Sequence, residues 1–145
     1  MKKQKSFVEF IKSLDEINFI ANLIVNMAKS TNTQFIFLKG DIGSGKTTLV
    51  KEVAKILNED QVVISPTFNK MFIYKNMVHI DAYNLIGKTL DSFHDYFEDK
   101  LVFIEWAENL NYKFPDAFQI EISFLDEEKR KYKINKYIYE FTSLY

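Results

Sequence analysis

The spacing of apolar and polar positions changes several times along the chain, and each change marks an element. Residues 7–11 form a short apolar run interrupted by Glu9, which predicts an edge strand. Ser13 with Glu16 makes a capping-box pair, after which Ile17, Ile20, Ala21, Ile24, Met27 and Ala28 trace one helical face. Residues 35–38 are a continuous apolar run of strand length, and Leu49, Val50, Val53, Ala54 and Leu57 recur at helix spacing. Val62, Val63 and Ile64 predict a brief buried strand that Ser65-Pro66 ends, because proline lacks a ladder N–H and holds the preceding residue extended. Residues 71–74 and 77–83 read as the strands of a hairpin about Lys75-Asn76. Within 87–100, Leu90, Phe93, His94 and Phe97 suggest a short helix, and 101–104 is a buried strand ending at Glu105-Trp106. Phe118, Ile120, Ile122 and Phe124 alternate with polar residues, an acidic turn follows at 126–128, and 132–141 alternates back as an antiparallel hairpin.

Between the second strand and the second helix, Gly40, Gly45, Lys46 and Thr47 fall at the spacing G-x-x-x-x-G-K-[ST], the phosphate-binding P-loop. Strand before and helix after are the context its mechanism needs. Gly40, Gly43 and Gly45 let the backbone bring N–H groups against phosphate oxygens, and the helix adds the positive end of its dipole there. Lys46 can reach the outer phosphates and the Thr47 hydroxyl can ligate the Mg²⁺ that bridges them. The fold class expected is therefore α/β: a P-loop NTPase-like, mixed, mainly parallel sheet flanked by helices, with a C-terminal antiparallel hairpin. Ligands should bind at the carboxyl ends of the parallel strands.

Composition narrows the function classes. The 145 residues make one domain, residues 1–145, with a single core. A net charge of −1 gives no general pull toward nucleic acid, and 47% hydrophobic residues are ample for a packed interior. Without cysteine there is no disulfide framework, thiolate nucleophile or Cys-based metal site. The basic start is a poor signal peptide, since Glu9 and Lys12 break its apolar part, and no run is long enough to span a membrane. A cytoplasmic protein is the default expectation.

A Mg²⁺-nucleotide site also needs a carboxylate at the end of a neighbouring strand. Glu105, after the apolar run 101–104, is the better pattern, and Asp81, after Val78-His79-Ile80, is the other. His79 is either a base or a packed, hydrogen-bonded structural residue. Trp106 is either a nucleobase or partner contact or core filling.

These residues carry a resemblance. Gly40-Asp41-Ile42-Gly43-Ser44-Gly45-Lys46-Thr47-Thr48, then Ser65-Pro66-Thr67-Phe68, then His79-Ile80-Asp81-Ala82-Tyr83, then Ile104-Glu105-Trp106 occur in this order. Over nearly its whole length the chain resembles the TsaE (YjeE) family of P-loop ATPases in bacterial threonylcarbamoyladenosine tRNA modification. The resemblance implies ATP and Mg²⁺ as cofactors, and hydrolysis coupled to TsaB-like and TsaD-like partner proteins, with tRNA engaged indirectly. It implies catalytic roles for Lys46, Thr67, Asp81 and Glu105 and metal contacts by Thr47 and Glu105. The nucleotide would be held by Asp41, Ile42, Gly43, Ser44, Gly45, Lys46, Thr47, Thr48 and Trp106. Two positions depart from the family: Asn84 stands where arginine is usual, and Ala107 where proline is frequent.

Alternative readings are a small-molecule P-loop kinase or a nucleotide-dependent binding switch. Kinases of that kind clamp phosphate with several lid arginines, and this chain has one, Arg130. A guanine-reading N-K-x-D is absent, since Asn135-Lys136 runs on into Tyr137-Ile138. The basic stretch Lys129, Arg130, Lys131, Lys133 and Lys136 either contacts tRNA or an acidic partner face, or keeps the hairpin soluble. Arg130 lies far along the chain from the motif, which leaves Lys46 and Mg²⁺ as the evident cationic stabilisers and predicts slow turnover until partners assist.

Overall fold

A computed structural model describes residues 2–61 and 71–139, with side chains described for 7–61 and 71–137. The expected strand at 62–64 and the loop at 65–68 lie outside the described residues. Seven strands form one sheet: β1 (Lys2–Ser13), β2 (Phe35–Lys39), β3 (Met71–Ile73), β4 (Met77–Asp81), β5 (Leu101–Glu105), β6 (Ala117–Phe124) and β7 (Lys129–Tyr139). Their order is β1-β7-β6-β2-β5-β4-β3. The four central strands β6, β2, β5 and β4 run parallel, and antiparallel pairs close both flanks. The run at 7–11 does lie on an edge, in a strand longer than its apolar part alone implies, because β1 pairs with β7 along its length.

Two helices, α1 (Ile17–Ser30) and α2 (Lys46–Ile56), cover one face of the sheet. Before α1, the Ser13 backbone N–H and hydroxyl both donate to Glu16 Oε1 at 3.0 Å, which directs the chain through a short 3₁₀ turn, Leu14–Glu16, into the helix. Ile20, Ala21 and Ile24 of α1 and Leu49, Val50 and Val53 of α2 are buried against Ile36, Leu38, Phe103, Ile120 and Ile122. Each fully buried aliphatic side chain is worth about 1.5–3 kcal/mol relative to exposure.

The alternate residues of the same strands, Phe35, Phe37, Val78, Ile80, Val102 and Ile104, face the other way. Among the described residues no long helix covers them. Leu90 and Phe97 pack inward from the ends of a 3₁₀ segment, Asp91–Phe97, and Phe114 and Leu110 complete the layer. The short helix expected in this region is 3₁₀ rather than α because only Leu90 and Phe97 are buried, while Phe93 and His94 stand outside. With Asp91, Ser92 and Asp95 among its residues, the segment has little intrinsic helix propensity to extend it. Phe114 stacks edge-on against Phe35 and Phe37 at centroid distances of 5.2 and 4.9 Å, so aromatic rings help to enclose this face of the sheet.

Candidate functional site

Register brings the chemistry together. Leu38 pairs with Glu105 across β2–β5, and Glu105 with Asp81 across β5–β4, so three parallel strands end level at their carboxyl ends. The loop from Gly40 to Gly45 rises from the first of them. A β-carbon on Gly40 would lie 2.6 Å from Ser44 Oγ and 2.7 Å from the Ile122 carbonyl oxygen, so glycine is what lets the loop fold back against passing strand β6. Gly45, at φ +114°, makes the left-handed turn into α2, and its carbonyl accepts the Leu49 N–H at 2.9 Å as the helix starts. The first-turn amides of α2 have no intrahelical acceptors, and the positive end of the helix dipole lies at the loop. Ser44 is buried and its Oγ has no hydrogen-bond partner among the described residues, a polar atom left over beside the loop.

Lys46 opens α2 and turns back across the loop. Its Nζ donates to the Gly40 carbonyl at 2.5 Å and lies 3.4 Å from Glu105 Oε1. The other carboxylate oxygen of Glu105 is 2.9 Å from His79 Nε2. His79 is completely buried and its Nδ1 has no hydrogen-bond partner among the described residues. The tautomer with the proton on Nε2 suits both ends, donating to the carboxylate and leaving only a lone pair at Nδ1. Burial pushes the Glu105 carboxyl up, but the interaction with His79 and the Lys46 ammonium outweigh it and hold the group below its ordinary 4.5. Glu105 is therefore a buried carboxylate kept ionised between two cation-capable donors.

The other expected residues are distributed around this triad. Asp81 sits beside Glu105, but its Oδ1 accepts the Tyr83 backbone N–H at 3.0 Å and shapes the turn after β4. Thr47 is half-buried in the first turn of α2 and Thr48 is exposed. Asp41, Ile42 and Gly43 form the exposed crest of the loop, with Ile42 fully in solvent. Trp106 is 46% exposed, which removes core filling as its role. It takes a left-handed φ of +61° and packs edge-on against Tyr83 at 5.2 Å. A cleft of about 550 Å³ opens under the loop, with Gly43, Lys46, Trp106, Glu121 and Phe124 in its walls. Thr67 lies outside the described residues.

Of the two readings offered for His79, the structure gives the packed, hydrogen-bonded one, with Glu105 as its partner. One feature escaped the sequence reading. Arg130, expected far from the motif, reaches it: its Nε donates to the Ser44 carbonyl at 3.2 Å. The signal was available in the alternation of β7, since Tyr132 and Ile134 face the helical layer and Arg130 continues their side of the strand.

The family model described as threonylcarbamoyl adenosine biosynthesis protein TsaE matches residues 11–134. The chain belongs to the TsaE family. Among curated relatives, the tRNA threonylcarbamoyladenosine biosynthesis protein TsaE of Rickettsia prowazekii is 31% identical over 87% of this chain and 92% of its own length. The proteins of the same name from Aquifex aeolicus and Bacillus subtilis are each 32% identical, over 86% and 81% of this chain and 92% and 77% of their own lengths. The crystal structure of Bacillus subtilis YdiB superposes with a TM-score of 0.66 at 26% identity, covering 92% of this chain and 86% of that one. The family match takes in the P-loop, His79, Asp81, Glu105 and Arg130, so the site described above lies within the family domain.

Proposed function

We propose that this chain binds and hydrolyses Mg²⁺-ATP as the ATPase subunit of tRNA threonylcarbamoyladenosine formation, acting in the cytoplasm through TsaB-like and TsaD-like partners, with tRNA engaged through them. The observation that carries the reading is the Lys46 ammonium held between the P-loop carbonyl of Gly40 and the ionised Glu105. A cation at the phosphate loop facing a strand-end carboxylate is the pairing that phosphoryl chemistry on a magnesium nucleotide requires. Family membership and the relatives' names support the pathway.

The residues present suit the ligand. The Gly40 cradle, the Gly45 turn and the α2 N-terminus form a nest for phosphate oxygens. The Thr47 hydroxyl and the Glu105 carboxylate are hard oxygen donors of the kind Mg²⁺ takes, and they would hold it. When bound, Mg²⁺ supplies neutralisation of charge developing on the phosphate oxygens. Lys46 holds the outer phosphates, and His79 keeps Glu105 in one rotamer and ionised. Asp81 acts near the attacking water or near Thr67, which is itself a catalytic residue by the family resemblance. Trp106 and the cleft beside it receive the rest of the nucleotide. Turnover by the chain alone is slow, because Asn84 stands where the family has arginine and the one arginine of the chain, Arg130, is engaged with the backbone carbonyls of Ser44, Asp126 and Lys129; an arginine on the transferred phosphate is in such reactions worth about 10³- to 10⁵-fold.

The test is phosphate release from Mg²⁺-ATP by the parent and by Lys46→Ala, alone and with both partner proteins, alongside calorimetric ADP binding. Slow parent turnover that partners raise, abolished in Lys46→Ala, is expected. Parent protein that binds no nucleotide, or a variant as active as the parent, overturns the reading.

A further inference from the structure

Arg130 makes every hydrogen bond the structure gives it to a backbone carbonyl. Its Nη1 donates to Asp126 and Lys129 carbonyls at 2.7 and 3.0 Å, at the tip of the β6–β7 hairpin, and its Nε donates to Ser44 in the P-loop. The hairpin tip is itself fixed, since Asp126 Oδ1 accepts the N–H groups of Glu128 and Lys129, each at 2.8 Å. The Phe124 ring lies against the guanidinium at 4.6 Å and backs it from one side. No carboxylate forms an ion pair with Arg130 among the described residues, so its charge is not neutralised locally.

The consequence follows from peptide geometry. In a trans peptide the carbonyl of one residue and the N–H of the next point in opposite directions. A guanidinium that holds the Ser44 carbonyl on the hairpin side therefore aims the Gly45 N–H to the opposite side of the loop. Gly45 needs such a constraint, because a glycine at φ +114° is free to swing its flanking peptides. We infer that Arg130 is a positioning residue for the nucleotide site: it clamps the Ser44–Gly45 peptide plane so that the phosphate nest is formed before ligand arrives, and adds an unpaired positive charge beside it. The hairpin tip thereby becomes a handle on nucleotide affinity.

This inference rests on the nucleotide-binding reading and is tested separately from it. The chain contains four glycines, so ¹⁵N-glycine labelling gives four amide signals, with Gly87, away from the loop, as an internal reporter of the fold. In ligand-free Arg130→Ala the Gly45 signal is expected to move while that of Gly87 stays. Loss of a hydrogen bond from a charged donor predicts ADP affinity weakened by about tenfold. Arg130→Lys, which keeps the charge without the fork, is expected to fall between parent and Ala. KM for ATP rises in both variants while turnover at saturation with partners is retained. Parent protein that fails to bind ADP defeats the nucleotide reading itself. Parent binding accompanied by an unmoved Gly45 signal, or by unchanged ADP affinity in Arg130→Ala, overturns the clamp alone.

Discussion

If His79 is the residue that keeps Glu105 ionised, replacing it with leucine should destabilise the fold by an amount that depends on the carboxylate. His79→Leu fills about the same space and removes the 2.9 Å hydrogen bond, leaving Glu105, 8% exposed, with only Lys46 at 3.4 Å. A hydrogen bond to a charged group is worth about 1.5–3 kcal/mol, and the carboxylate's uncompensated desolvation adds to its loss. The expected cost at pH 7 is about 2–3 kcal/mol, a large share of the roughly 5–15 kcal/mol that stabilises a typical domain. In thermal unfolding this corresponds to about 5–10 °C. Glu105→Gln keeps an acceptor for His79, so it costs less alone, and it should absorb much of the His79→Leu penalty in the double variant. A coupling of about 1–2 kcal/mol is expected from the cycle measured by urea unfolding. The sign with pH is fixed. Because the folded Glu105 carboxyl lies below its ordinary 4.5, its stabilisation is complete above that value and is lost as pH falls below it, through the lowered folded value. The coupling should shrink over that same window. Additive single-variant costs at pH 7, or a coupling that does not change on acidification, would refute the assignment of His79 as the donor that holds Glu105 ionised.

Three further perturbations probe other parts of the site. Gly40→Ala places a methyl 2.6 Å from Ser44 Oγ and 2.7 Å from the Ile122 carbonyl, so it should cost about 1–3 kcal/mol and weaken ADP binding, both read from urea unfolding with and without ligand. Trp106, the single tryptophan and 46% exposed at the cleft, should change its fluorescence on addition of Mg²⁺-ADP; an unchanged spectrum with binding confirmed by calorimetry would remove it from the nucleotide's surroundings. Thr47→Ala and Glu105→Gln should each raise the Mg²⁺ concentration needed for half-maximal ATP hydrolysis, and an unaltered requirement in either would exclude that side chain from holding the metal.

What the sequence disclosed and what it hid divide along one physical line. Elements whose signal is local were legible: the Ser13–Glu16 box, the helix faces from Ile17 and Leu49, the hairpin about Lys75-Asn76, and the loop between β2 and α2 all depend on neighbours within a few positions. Glu105 at the end of an apolar run was legible for the same reason. The pairings that complete the site are not local. His79 and Glu105 are 26 positions apart and meet because β4 and β5 run parallel in one register, and Arg130 and Ser44 are 86 apart and meet because β7 lies next to β6. Sequence distance was therefore a misleading guide to Arg130, whereas the strand alternation shared with Tyr132 and Ile134 already assigned it to the helical side. The same holds for Lys46, whose side chain is 15% exposed and bridges Gly40 and Glu105. Lys46 and Glu105, which phosphate and metal would engage under the proposed function, lie 3.4 Å apart as an ion pair, so binding would exchange partners at that pair.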